Sequence, residues 1–144
     1  MFERKDYVTP ELAKTLREKC YDEYTEMCYT TEGYMFAERD IEYSYTHVRE
    51  VSAPTLYEVH RWLREKHGLQ VTIFPDMDTE WIEIDEDNEE INAWHTGLWR
   101  WNIDDLNVNA DNKKGQATVK SSTIDRDTYE LALLEGITDA LKLI

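Results

Sequence analysis

The chain is 144 residues long, a size that buries most of its unfolded surface in one domain and needs no disulfide or metal to hold it together. Its 31 Asp and Glu against 16 Lys and Arg leave a formal net charge of −15, which excludes direct nucleic-acid binding and attachment to anionic membrane over most of the surface, because both depend on Lys and Arg displacing counterions. With 41% hydrophobic residues, among them five Trp, nine Tyr and three Phe, it has enough apolar surface to fold rather than remain a charged disordered chain.

Thr9-Pro10-Glu11 combines an N-cap hydroxyl, a proline at the first helical position and an acid near the positive end of the helix dipole. This predicts a helix from Pro10 to about Cys20, with Leu12, Ala13, Leu16 and Cys20 on its apolar stripe. From Tyr24 to Val48 the composition turns to Tyr, Thr, Met, Phe and Ile, and Ile41, Tyr43, Tyr45 and His47 alternate with polar neighbours. The stretch reads as a strand pair turning near Thr31-Glu32-Gly33. Thr55 and Glu58 make a capping box after Pro54, followed by Leu56, Val59, Trp62 and Leu63 at helical spacing and by Gly68 as a left-handed stop.

Leu69, Val71 and Ile73 alternate with Gln70 and Thr72 to give a strand that Pro75 is expected to end, and Trp81-Ile82-Glu83-Ile84 is expected to form a partner after an acidic turn. An acidic loop then runs through Glu90. Trp99, Trp101 and Ile103 define the next strand, Asp104 to Gly115 reads as loop, and Ala117 and Val119 mark a later strand beyond the Asn112-Lys113-Lys114-Gly115 turn. The last helix is expected to begin near Asp127, paired with Glu130, and to carry Leu133, Ile137, Ala140, Leu141 and Ile144 on one face. Gly136 inside it costs about 1 kcal/mol relative to alanine, which points to close packing against the sheet. The expected fold is a single α+β domain spanning 1–144: an antiparallel sheet of about five to six strands with three helices mainly on one face.

Three blocks of the chain carry a resemblance: Thr9-Pro10-Glu11-Leu12-Ala13-Lys14 with Arg17-Glu18-Lys19; Ala53-Pro54-Thr55-Leu56-Tyr57-Glu58-Val59 running into Trp62-Leu63-Arg64-Glu65-Lys66-His67-Gly68; and Tyr129-Glu130-Leu131-Ala132-Leu133-Leu134-Glu135-Gly136-Ile137 with the ending Ala140-Leu141-Lys142-Leu143-Ile144. Together they resemble small uncharacterised proteins encoded by phages, prophages and mobile elements of Bacteroides-type gut bacteria. Residues 76–120 depart from that pattern, and the group has no assigned catalytic residues to carry over. The resemblance implies an accessory protein of viral or mobile-element origin that acts in the cytoplasm of a host cell. The chain's opening, without an apolar leader, and its two cysteines, Cys20 and Cys28, read as reduced, half-buried thiols, agree with that expectation.

Two stretches could carry function. Between His67 and Trp99 there is no Lys or Arg, while Asp76, Asp78, Glu80, Glu83, Asp85, Glu86, Asp87, Glu89 and Glu90 crowd together. Such a surface could imitate the phosphate row of a duplex and dock on a host protein with a basic surface, in the manner of a counter-defence factor; the same run also reads as a solvated acidic rim. A calcium loop on Asp85, Asp87 and Glu89 is disfavoured, because Glu90 stands where such a loop needs glycine and Thr96 where it needs glutamate. The second stretch is Trp94, Trp99, Arg100 and Trp101, which with Tyr45 could line an aromatic pocket that sequesters a small signalling nucleotide; Trp99 and Trp101 also read as core. An exposed aromatic patch would favour a homo-oligomer. His47, His60, His67 and His95 are scattered, and neither a phosphate loop nor a nucleophile elbow is present. No enzyme activity, cofactor or metal is expected, with a metal-assisted hydrolase built on the acidic run as the competing reading.

Overall fold

The computed structural model describes residues 3–37, 49–107 and 118–144. After a 3-10 turn at Arg4–Asp6, helix α1 spans Pro10–Glu18, where Thr9 Oγ1 accepts from Leu12 N–H at 3.2 Å. It ends two residues before the expected Cys20, which instead takes a left-handed backbone with φ 62° and is exposed, whereas Cys28 is buried. Strands β1 (Met27–Thr30) and β2 (Met35–Ala37) form the expected hairpin, and β3 (Arg49–Ser52) pairs with β1 on its other edge. Helix α2 (Leu56–His67) carries the reciprocal capping box of Thr55 and Glu58 and stops at Gly68 with φ 64°. Strands β4 (Leu69–Glu83), β5 (Glu89–Asp105) and β6 (Thr118–Ser121) precede helix α3, Tyr129–Leu141. Ile41, Tyr43, Tyr45, His47, the turn at 112–115 and Ala117 lie outside the described residues.

The fold is α+β with three described helices, but its strands divide into two antiparallel sheets, ordered β2-β1-β3 and β4-β5-β6, rather than the one larger sheet expected. Both edges of β1 are taken by its own neighbours, and β4 has no described ladder except with β5, so the two sheets meet through side chains. Tyr29 and Val51 from the first sheet and Val71, Trp101 and Ile103 from the second belong to one hydrophobic cluster, which also takes in Leu16, Leu63 and Ile137 from the three helices.

Three further expectations change. Pro75 does not end its strand. Trp99, opposite it, spends both its N–H and its carbonyl on Arg126, at 2.7 and 2.8 Å. Pro75 therefore sits in a non-hydrogen-bonded pair with its nitrogen toward the open edge of β4, where no donor is lost. Consequently Trp81-Ile82-Glu83 continues β4, and Glu89 and Glu90 belong to β5 rather than to a loop. Asp104 and Asp105 likewise complete β5. At the last helix the cap is Thr128, whose Oγ1 accepts from Leu131 N–H at 3.1 Å, one residue beyond the expected Asp127.

Gly136 is where α3 crosses the second sheet. A Cβ built there would stand 2.6 Å from Val71 Cγ1 and 3.3 Å from Trp101 Cγ, both on buried side chains. Gly136→Ala should therefore destabilise the protein by about 1–2 kcal/mol despite its better helix propensity, because overpacking costs about 1–3 kcal/mol and the propensity gain is about 1. Urea unfolding checks the sign.

Candidate functional site

Strands β4 and β5 form one hairpin with two very different halves. At its base Val71, Trp101 and Ile103 are buried beneath α2 and α3. Beyond Pro75 and Trp99 the covering elements end, and every residue from 77 to 97 is exposed. The distal part of β4, residues 77–83, reaches about 23 Å at roughly 3.3 Å per residue, so the hairpin ends in a projecting arm.

A bulge marks the boundary. The register steps from Pro75↔Trp99 to Met77↔His95, so that Asp76 faces residues 96–98, and Gly97 takes φ 86°. Thr96 Oγ1 donates to Asp76 Oδ2 at 3.0 Å and accepts from Leu98 N–H at 3.3 Å, which ties the bulge together. Two extra residues on β5 leave the in-and-out alternation in phase. By register, the face that is buried at the base continues along the arm as Met77, Thr79, Trp81, Ile91, Ala93 and His95 and ends in Glu83 and Glu89, and the other face carries Asp78, Glu80, Ile82, Glu90, Asn92 and Trp94. Trp81 is 65% exposed, Ile91 53%, Met77 and Trp94 44% each.

At the tip, Asp85 accepts from Asp87 N–H and from Asn88 Nδ2, both at 2.9 Å, and the Asn88 bond foremost holds its carboxyl below the usual carboxylate range. Asp85 therefore serves the turn. Glu83 and Glu89 stand directly opposite each other, a like-charge pair that weakens a hairpin. None of the nine acids between 76 and 90 joins an ion pair among the described residues, in contrast to Asp139, Asp125 and Glu135, which hold Lys120, Arg100 and Arg126 on the body. Burial of Asp139 raises its pKa, but the hydrogen bonds from Lys120 and Lys142 outweigh this and keep the carboxyl below its ordinary value. These body carboxylates thus serve the fold, whereas those of the arm, Asp76, Asp78 and Asp85 aside, show no hydrogen bond or ion pair among the described residues.

The aromatic set is dispersed. Trp101 is 1% exposed, with its Nε1–H donated to Glu135 at 3.0 Å. Trp99 packs edge to face on Tyr129 with ring centroids 5.5 Å apart. Arg100 points to the other face and pairs with Asp125 at 2.9 Å, Trp94 stands out on the arm, and Tyr45 lies outside the described residues. His60 Nε2 lies 2.6 Å from the Val71 carbonyl and so ties α2 to β4, whereas the His67 ring packs on Trp62 of its own helix. The arm residues missed from sequence are Met77, Trp81, Ile82 and Ile91; the signal was the period-two alternation continuing past Pro75, which the proline and the acids around it obscured.

A cavity of about 340 Å³ lies where the N-termini of α1, α2 and α3 converge, with Val8, Leu56, Leu131 and Leu134 among its walls. Tyr29 there donates its hydroxyl to the Val8 carbonyl at 2.5 Å, and Lys5 at the rim is paired with Glu3 and Glu130. Among the described residues no three His, Cys, Asp or Glu side chains gather to hold a metal, and no helix is long and apolar enough to cross a membrane. Neither a family model, nor a curated protein, nor a solved structure matches the chain.

Proposed function

We propose that the chain is a non-enzymatic binding protein of a bacterial host cell that docks its projecting β4–β5 arm on a basic surface of another protein. The observation that carries this reading is the arm itself: twenty-one consecutive exposed residues, 77–97, flanked and filled by acids with no Lys or Arg from residue 68 to residue 99. Folding alone does not account for that arrangement, since unpaired like charges on a two-stranded ribbon oppose its formation. Complementary charge across an interface, by contrast, accelerates encounter and rejects wrong partners. The remaining acids, Asp76 and Glu86 included, extend the same negative field around the bulge and the tip.

Amide replacement at Asp78, Glu80, Glu86, Glu89 and Glu90 tests this and leaves Asp85 to hold the turn. A partner captured from bacterial lysate by the native chain should bind the variant at least about tenfold more weakly, and its binding to the native chain should weaken as salt rises. Equal binding by both forms, or no partner for the native chain, overturns the proposal.

A further inference from the structure

The arm carries more than charge. Its acids could have been displayed on a polar ribbon, yet the face in phase with the buried core presents Met77, Trp81 and Ile91 to solvent. Trp81 and Ile91 are a directly opposed cross-strand pair, which supports the hairpin by about 0.2–1 kcal/mol. That explains their pairing and not their being left uncovered, since a contiguous exposed apolar strip on a monomer marks a place of contact. Resting on the reading above, we infer that the partner offers an apolar groove rimmed by Lys and Arg, and that the Met77–Trp81–Ile91 face seats in the groove while Glu83 and Glu89, at the outer end of that same face, meet the rim.

Charge decides between the occupants. A second copy laid on the same face would bring two sets of nine carboxylates together with no cation on either arm. A lipid surface of anionic character, or a nucleic acid, repels the arm for the same reason. A basic protein groove satisfies both the acids and the apolar strip, and the resulting interface has the usual anatomy of an apolar centre carrying one large aromatic anchor inside a polar rim. Affinity then resides mainly in Trp81, and encounter rate and salt dependence in the acids.

Two synthetic peptides of equal charge test this against the full chain: one of alternating lysine and leucine, and one of lysine alone. The alternating peptide should bind the native chain about tenfold more tightly or better, and Trp81→Ala should remove that advantage while leaving the all-lysine peptide unaffected. Equal affinities on the native chain, or an alternating peptide indifferent to Trp81→Ala, overturns the inference and leaves the basic-partner reading standing. If the amide variant binds the all-lysine peptide as well as the native chain does, that reading falls instead. Self-association of the native chain at moderate salt that Trp81→Ala abolishes also overturns the inference, since the strip would then serve a second copy. Circular dichroism of Trp81→Ala should match the native chain, because the side chain touches no core element.

Discussion

Trp101→Ala should destabilise the protein by about 3–5 kcal/mol, the usual cost of emptying a fully buried aromatic site. Its indole is 1% exposed, lies beneath Gly136 of α3, and donates to Glu135. Truncation removes the packing surface on which α3 rests and takes a hydrogen bond from a carboxylate that also holds Arg126. The close approach of helix and sheet at Gly136 leaves little room for collapse, so the cavity should persist. A loss of this size is a large share of the 5–15 kcal/mol that keeps a domain folded. Urea denaturation measures it; a loss under about 1 kcal/mol would mean that the helix does not pack on this side chain as described. Trp81→Ala, on the same hairpin, should cost no more than about 1 kcal/mol, the upper value of the cross-strand pair it breaks.

Removing the arm should have the opposite profile. Joining Met77 to His95 through an Asn-Gly turn retains a register pair already present and supplies the turn that two-residue hairpins favour. None of the buried cluster is touched, since its β4 and β5 members are Leu69, Val71, Trp101 and Ile103. The unfolding free energy should therefore move by less than about 1 kcal/mol, and relief of repulsion among the lost acids should make the change as small in either direction. Binding of the partner captured by the native chain should fall about a hundredfold or more, since both the apolar anchor and the acidic rim are gone. A truncated chain that unfolds several kcal/mol more easily would show the arm to be part of the folding unit; one that still binds would place the interface elsewhere.

Element identity was largely readable because it rests on local chemistry. The Thr55–Glu58 capping box, the Thr9-Pro10 helix start and the Gly68 stop each satisfy backbone groups within a few residues, and each is present. Gly136 was legible for a related reason: a helix tolerates the entropic cost of glycine where a neighbour comes too close for a side chain. Pro75 misled because its meaning depends on which edge of the strand its nitrogen faces, and that is set by Arg126, fifty-one residues away, taking both backbone groups of Trp99. The candidate site divides in the same way. The acidic run was visible in composition, but its union with Met77, Trp81 and Ile91 was not.

Composition and local pattern alone settled the charge, the α+β mixture and the helix starts to within about a residue, since these follow from residue type and near-neighbour spacing. Only the tertiary structure decided that the strands split into two sheets, that Trp101 is core while Trp81 is surface, and that an alternating apolar face outruns the helices that cover its base. Alternation along a strand sorts residues onto two faces. Which of those faces finds another layer depends on where the helices end, and no periodicity within the strand records that.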